Sequence, residues 1–385
     1  MRRLLIHVQY LKGIGHLQRM GLIAEAAAAE GLEVHIASGG LPLPFFAPKG
    51  AGLHQLPPLQ AGPGGFSDLR DEAGAPINEE WLADRRDRLL GLFAELRPDA
   101  LLIETFPFGR RQLTGELTAL IEAARASRPR TRIACSIRDV LQQETRKDRL
   151  DQTVARLRAG FDMVLVHGDP RFIGLEQSFA RYADIADLVR HTGLVAAPES
   201  VYRPAPDTPQ QEVIVSAGGG AVGPTLFDAA LAARPLTSLS RAPWRLLTGP
   251  HLAEADYARL TRRAPEGVTV ERFRTDFRAL LAAARLSISY AGYNTSLDLL
   301  RARVPGVLLT YSGGGGESEQ AQRAARLAEL DLAETLEDRN MTPEGLARII
   351  DRAAANRRCA DVRVDLDGAA KSARLLRELA EAKGR

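Results

Sequence analysis

In residues 212–225, EVIVSAGGGAVGPT, a short β-branched run breaks off into glycines, and a helical pattern begins at Thr225. Strand, glycine turn and helix in that order form the unit of a parallel α/β sheet, whose ligands bind beyond the carboxyl ends of the strands. Gly218, Gly220 and Gly223 also match the G-x-G-x-x-G dinucleotide fingerprint. The amides of Gly218, Gly219, Gly220 and Ala221 are therefore expected to cradle a phosphate at the start of the helix. That fingerprint calls for an acidic residue at the end of the following strand to hold a ribose. Here the strand is WRLLTGPH, ending in Gly249 and Pro250, so a dehydrogenase is disfavoured.

The same alternation runs outward in both directions. LLIHVQY, EVHIAS, DALLIET, RIACSI, MVLVHG and DLVRHTG read as strands before the turn, and WRLLTG, VTVERF, LSISYAG and GVLLTY after it, with helical patterns between them. At 385 residues the chain exceeds one ordinary core. The expected architecture is α/β, with two Rossmann-like, doubly wound parallel-sheet domains facing across a cleft. Domain boundaries are predicted at 1–195 and 212–365, joined by the proline-rich linker 196–211 and followed by a C-terminal helix, 366–385. Residues 39–76, rich in glycine and proline, predict a long binding loop or lid.

A net charge of +3 with interspersed acids and bases gives no nucleic-acid footprint. Two widely spaced cysteines, Cys135 and Cys359, fit a reducing compartment. The short apolar run at the N-terminus reads as a first strand, and a cytoplasmic protein is expected. Phe45 and Phe46 beside Lys49 allow peripheral contact with the inner face of a membrane, although a core-facing pair is the simpler reading.

Four groups of residues carry candidate chemistry. KGIGHLQR, residues 12–19, supplies Gly13 and Gly15 for a tight turn on the acceptor side. It also places His16 at a helix N-terminus, where a neutral imidazole is favoured and serves as a general base. Glu104 and Asp139 end strands of the first domain, and either is a competing base or the carboxylate that orients His16. The neighbouring Phe106 and Phe108 are expected to raise the Glu104 pKa. SYAGYNTSLDLL, residues 289–300, ends a strand at Gly292. It offers Asn294 and Thr295 at a helix start, with Thr295 as its cap, and Asp298 one turn on; amides and a hydroxyl suit a pyrophosphate, a carboxylate a ribose diol. GGGGESEQAQRA, residues 313–324, lets Gly315 and Gly316 pass close to a sugar and sets Glu319 and Gln320 beside its hydroxyls. A lesser cluster, His167, Asp169 and Arg171, stands at another strand end.

Taken in order, these residues resemble the inverting GT-B glycosyltransferases of the family 28 type, which include the bacterial N-acetylglucosaminyltransferases that complete the lipid-linked cell-wall precursor. The resemblance spans both domains. It implies that His16 occupies the place of the family's turn histidine, that Ser216 through Val222 meet the nucleotide diphosphate, and that Phe273 and Arg274 occupy the pair that reads uracil. The family's serine, glycine, threonine and glutamate fall on Ala291, Gly292, Thr295 and Asp298, and its sugar-holding glutamine pair on Glu319 and Gln320. The implied activity is transfer of a hexose or N-acetylhexosamine from a UDP-sugar to a lipid-linked or small acceptor. Helix N-termini stabilise the leaving diphosphate, with no cofactor and no obligatory metal. The one D-x-D triplet, Asp365 to Asp367, lies in the C-terminal tail, away from every strand edge. Two alternatives stay open: a UDP-sugar hydrolase or epimerase, since GIGHLQR resembles the G-x-G-H-x-x-R turn of UDP-sugar hydrolases, and a nucleotide-sugar-binding protein without turnover.

Overall fold

The computed structural model describes residues 1–11, 13–217, 224–249, 252–310, 318–356 and 364–382. The chain divides into two compact units, Met1–Val195 with Asp365–Arg385, and Ala196–Val364.

The first unit runs β1 (Arg3–Val8), α1 (Gly15–Ala29), β2 (Glu33–Ser38), β3 (Ala51–Gln55), the hairpin β4 (Gln60–Gly62) and β5 (Gly65–Arg70), α2 (Glu79–Leu96), β6 (Ala100–Glu104), α3 (Thr114–Ala126), β7 (Arg132–Arg138), α4 (Lys147–Gly160), β8 (Met163–His167) and β9 (Val189–His191). Its seven-stranded sheet has the order β3-β2-β1-β6-β7-β8-β9, and every pairing is parallel. Because helices cover both faces, the central strands are apolar without alternation: every residue of β6 is buried, as are Leu4 through Val8 of β1. Local signals fix the helix ends. Asn78 caps α2 by accepting from the Trp81 amide at 2.8 Å, with Glu79 and Glu80 in the first turn. Gly31, at φ +88°, ends α1 in the left-handed conformation that glycine adopts without a Cβ penalty.

The second unit runs β10 (Val213–Ser216), α5 (Thr225–Ala233), β11 (Trp244–Leu247), α6 (Glu254–Arg263), β12 (Val268–Glu271), α7 (Phe277–Ala283), β13 (Leu286–Tyr290), α8 (Tyr293–Ala302), β14 (Gly306–Thr310), α9 (Ser318–Glu329), β15 (Glu334–Glu337) and α10 (Pro343–Ala355). Its sheet, β12-β11-β10-β13-β14-β15, is also wholly parallel. The last helix, α11 (Gly368–Glu381), returns to the first unit. Leu376 and Leu379 are buried there with residues of α1, and Leu375 packs against the same core. The return is tied by Leu194 donating to the Asp365 carbonyl at 2.8 Å and Gly368 donating to the Leu194 carbonyl at 3.0 Å.

Three expectations change. Residues 39–76 are not one long loop: they contain edge strand β3 and the β4–β5 hairpin, and Gly52 with the exposed Leu53 hid the strand from a hydrophobic pattern. The linker residues 196–211 pack with the second unit, where Tyr202 is buried and Gln211 donates to the Ala283 carbonyl at 2.9 Å. Phe45 and Phe46 part company: Phe46 packs against the first core and approaches Gly21 of α1, whereas Phe45 is exposed.

Candidate active site

Each sheet reverses its strand order once beside its first strand, between β1 and β6 and between β10 and β13. Ligands of doubly wound sheets bind at such switch points. The connection leaving β1 carries Gly13, Gly15 and His16. The connection leaving β6 begins at Glu104, so the first switch point brings together two of the residues picked out in the sequence.

His16 is the second residue of α1, and its Nδ1 lies 2.7 Å from Glu104 Oε1. The carboxylate is fully buried, while one fifth of the imidazole side chain remains exposed. Two further donors converge on the same oxygen: Arg19 Nη2 at 2.6 Å, from the same face of α1 one turn on, and the Thr105 hydroxyl at 2.6 Å. Thr105 takes φ +66°, a left-handed conformation costly for a β-branched residue. The backbone is bent there so that the hydroxyl next to Glu104 folds back onto it. With Nδ1–H donating to the carboxylate, Nε2 keeps the lone pair that accepts a proton.

Electrostatics favour that division. Burial pushes His16 down to about 4, outweighing the Glu104 charge, and Arg110 and Arg138 add to the depression. Burial pulls Glu104 upward, but His16, Arg19 and Arg110 outweigh it and hold the carboxyl well below the usual carboxylate range. The expectation that Phe106 and Phe108 raise its pKa is thereby corrected: the neighbours that matter are cationic. Glu104 is therefore a buried anion bonded to the imidazole. Asp139 follows β7, fully buried, with Gly168 packed against its backbone and Cβ.

His167, Asp169 and Arg171 perform structural work. His167 is buried among hydroxyls, with Ser136 Oγ at 2.7 Å and Thr192 Oγ1 at 3.0 Å, and burial holds its pKa well below the ordinary value. Asp169 grips Arg171 through both oxygens, at 3.0 and 2.8 Å, and accepts from the Asp365 amide at 3.1 Å, fastening the segment before α11. Asp365 of the D-x-D triplet pairs with Lys371 in that anchor. Among the described residues no group of three or more His, Cys, Asp or Glu side chains is arranged to hold a metal ion.

In the second unit, Gly292 is the N-cap of α8, a residue with no side chain to cap the helix. Thr295, expected as the cap, sits inside the first turn, which leaves the amino end of the helix to its main-chain amides. Asp298 is buried one turn further on. Its Oδ1 accepts from the Tyr202 hydroxyl and from Arg278 Nε at 2.9 Å, so the carboxylate expected to meet a ribose already ties the former linker and α7 to α8. Burial and the Asp298 charge hold the Tyr202 hydroxyl well above its usual pKa. Phe273, in the connection after β12, is 62% exposed. The Arg274 side chain folds onto Asp276 at 2.8 and 2.6 Å. Asn294 lies in the first turn of α8 with Thr295, and Glu319 and Gln320 lie in the first turn of α9. Gly218, Gly219, Gly220, Ala221, Gly315 and Gly316 lie outside the described residues.

Sequence reasoning missed Arg19, Thr105, Arg110, Arg138, Tyr202, Arg278 and Arg323. Arg19 was legible, standing three residues after His16 on one helical face. Arg323, on α9, is buried with its guanidinium 5.3 Å from the Tyr293 ring and Nη1 3.3 Å from the Ala291 carbonyl, bracing the turn into α8. Nothing in its sequence surroundings marks it.

Residues 213–365 match the glycosyltransferase family 28 C-terminal domain. No curated protein sequence matches the chain. Three solved structures are similar along its whole length. The glycosyltransferase SnogD from Streptomyces nogalater is 18% identical, with a TM-score of 0.60, covering 98% of this chain and 99% of its own. Acinetobacter baumannii MurG is 16% identical, with a TM-score of 0.58, covering 98% and 100%. The glycosyltransferase VinC, in complex with dTDP, is 15% identical, with a TM-score of 0.56, covering 99% and 96%. At such identities the likeness is one of fold, and the fold is GT-B. With its family 28 C-terminal domain on that fold, the protein is a glycosyltransferase.

Proposed function

We propose that this glycosyltransferase moves a hexose or N-acetylhexosamine from a UDP-sugar to an acceptor hydroxyl with inversion at the anomeric carbon. The first unit supplies the base and the second holds the donor. The observation that carries this reading is the 2.7 Å bond between His16 Nδ1 and the buried, ionised Glu104 at a sheet switch point. The acceptor oxygen bonds to the anomeric carbon as its proton passes to His16 Nε2. The bond from that carbon to the β-phosphate oxygen breaks, and its electron pair leaves with the diphosphate. Glu104 keeps the tautomer fixed and stabilises the imidazolium as it forms.

The donor side rests on backbone. The amino end of α8, with Asn294 and Thr295 in its first turn, suits the diphosphate, whose charge is met by amides rather than by an obligatory metal. The exposed Phe273 ring suits a pyrimidine, and the dTDP bound by VinC is of that class. Glu319 and Gln320 are assigned to the sugar hydroxyls.

Thermal stability with UDP-, dTDP- and GDP-sugars is the first test, since a ligand seen only by the folded state raises the melting temperature by mass action. UDP-sugars should give the largest rise. Turnover with acceptor should survive EDTA. Free sugar accumulating in step with UDP in the absence of acceptor would replace transfer by hydrolysis.

A further inference from the structure

The first switch point gathers arginines about Glu104. Arg19 and Arg110 act electrostatically on its carboxylate, and Arg138 acts on His16 and Arg110. Arg19 is spent on Glu104, buried and bonded at 2.6 Å. Arg110 is placed differently. Its backbone takes φ 60°, ψ 33°, a left-handed conformation that a non-glycine residue keeps only where the surroundings impose it. Its Nε donates to the Gln9 carbonyl at 2.8 Å, holding the guanidinium over the end of β1, where the connection to His16 starts. Among the described residues, Nη1 and Nη2 of Arg110 have no hydrogen-bond partner. The side chain is only half-buried, so that fork stays reachable. A guanidinium fixed at one nitrogen, with a planar pair of donors left over and a second arginine nearby, has the geometry that binds a carboxylate or phosphate through two oxygens.

We infer that the acceptor is an acid: a carboxylate or phosphate close to its reacting hydroxyl is gripped by Nη1 and Nη2 of Arg110, beside His16. This rests on the transfer reading above and adds the acceptor's chemical class. A bound anion brings the hydroxyl to the imidazole by two-point attachment rather than by shape alone. The donor's diphosphate is the other possible source of such an anion, and the experiment separates the two.

Inorganic phosphate is titrated into the full-length protein at constant ionic strength, following the melting temperature with and without saturating UDP. The wild type should show saturable stabilisation by phosphate that persists when UDP is bound. Arg110→Gln should weaken phosphate binding at least tenfold, and Arg110→Lys, which keeps a charge but not the fork, should fall between. The UDP-induced rise, which reports the second unit, should be the same in all three proteins. Absence of saturable binding, equal binding by Arg110→Gln, or loss of phosphate binding once UDP is present would each overturn the inference. The last outcome would assign the anion to the donor. If Arg110→Gln does not fold, Arg110→Lys alone decides, by binding phosphate more weakly than the wild type or equally well. Unchanged UDP binding throughout would leave the transfer reading standing.

Discussion

Both units present a parallel-sheet switch point, but they equip it in opposite ways. The first fills it with titratable side chains: a buried carboxylate, a neutral imidazole and guanidinium groups, fixed by hydrogen bonds of 2.6 to 2.7 Å. The second starts α8 at Gly292, which has no side chain to cap it, and commits Asp298, one turn in, to Tyr202 and Arg278. In the transfer reading proposed above, the first edge moves a proton, which needs tuned titratable groups. The second holds a polyanion, which main-chain amides do without titrating. On that reading the same topology divides a reaction into chemistry and grip.

That division is easiest to break at His16. His16→Ala should lower turnover by about 10²- to 10⁴-fold, the usual contribution of a positioned base. UDP binding, measured by calorimetry, should stay within twofold, because the proposed reading assigns the nucleotide to the other unit. A comparable loss of UDP affinity would merge the two roles. Glu104→Gln comes next. It leaves Arg19 buried without its anion, and breaking a buried pair of this kind costs about 3 to 5 kcal/mol, readable by chemical denaturation. A loss below 1 kcal/mol would mean that the cationic cluster does not depend on Glu104.

Asp298 sharpens the comparison from the other side. Asp298→Ala should cost about 1 to 3 kcal/mol of stability by stranding Tyr202 and Arg278, and should also weaken UDP binding. Tyr202→Phe removes only the structural bond and should leave UDP affinity intact. If both variants weaken UDP equally, the carboxylate serves packing rather than the ribose. The smallest effect is expected from Thr105→Gly. Relief of the left-handed backbone, worth roughly 1 kcal/mol, offsets the lost hydroxyl bond, so stability should barely move while turnover drops.

The fold was largely legible in the sequence because parallel strands buried on both faces leave uninterrupted apolar runs, as in ALLIE and RIACSI. In the two parallel sheets the strands that escaped were edges: AGLHQ, with its exposed Leu53, and ETLE, whose residues are charged or half-exposed. In the site, His16 was legible from its glycine turn, and Glu104 from its place at a strand end. Their pairing was not, since it depends on which strands lie side by side in a sheet of order β2-β1-β6. The pKa of Glu104 was misjudged for the same reason: Phe106 and Phe108 are neighbours in sequence, whereas Arg19 and Arg110 are neighbours through the fold. Asp298 was identified as a binding carboxylate without its ties, because Tyr202 stood in a stretch that reads as linker.

The ionisation of His16 also carries a stability signature. Its folded pKa of about 4 lies below the ordinary 6.5, so between those values the unfolded chain binds a proton that the native state does not. Its contribution to stability is complete above pH 6.5 and disappears as the pH falls through 4. The decline of stability between pH 6.5 and 4 should therefore be shallower in His16→Gln than in the wild type.

The account turns on a neutral imidazole that gives its Nδ1 proton to Glu104 and keeps Nε2 for the substrate. Nuclear magnetic resonance of ¹⁵N-labelled histidine, with the His16 signal identified by its loss in His16→Gln, reads both properties in one titration. The expected result is a ring that stays neutral down to about pH 4, with the hydrogen on Nδ1. A ring that titrates near 6.5, or one that carries its hydrogen on Nε2 at neutral pH, would contradict it.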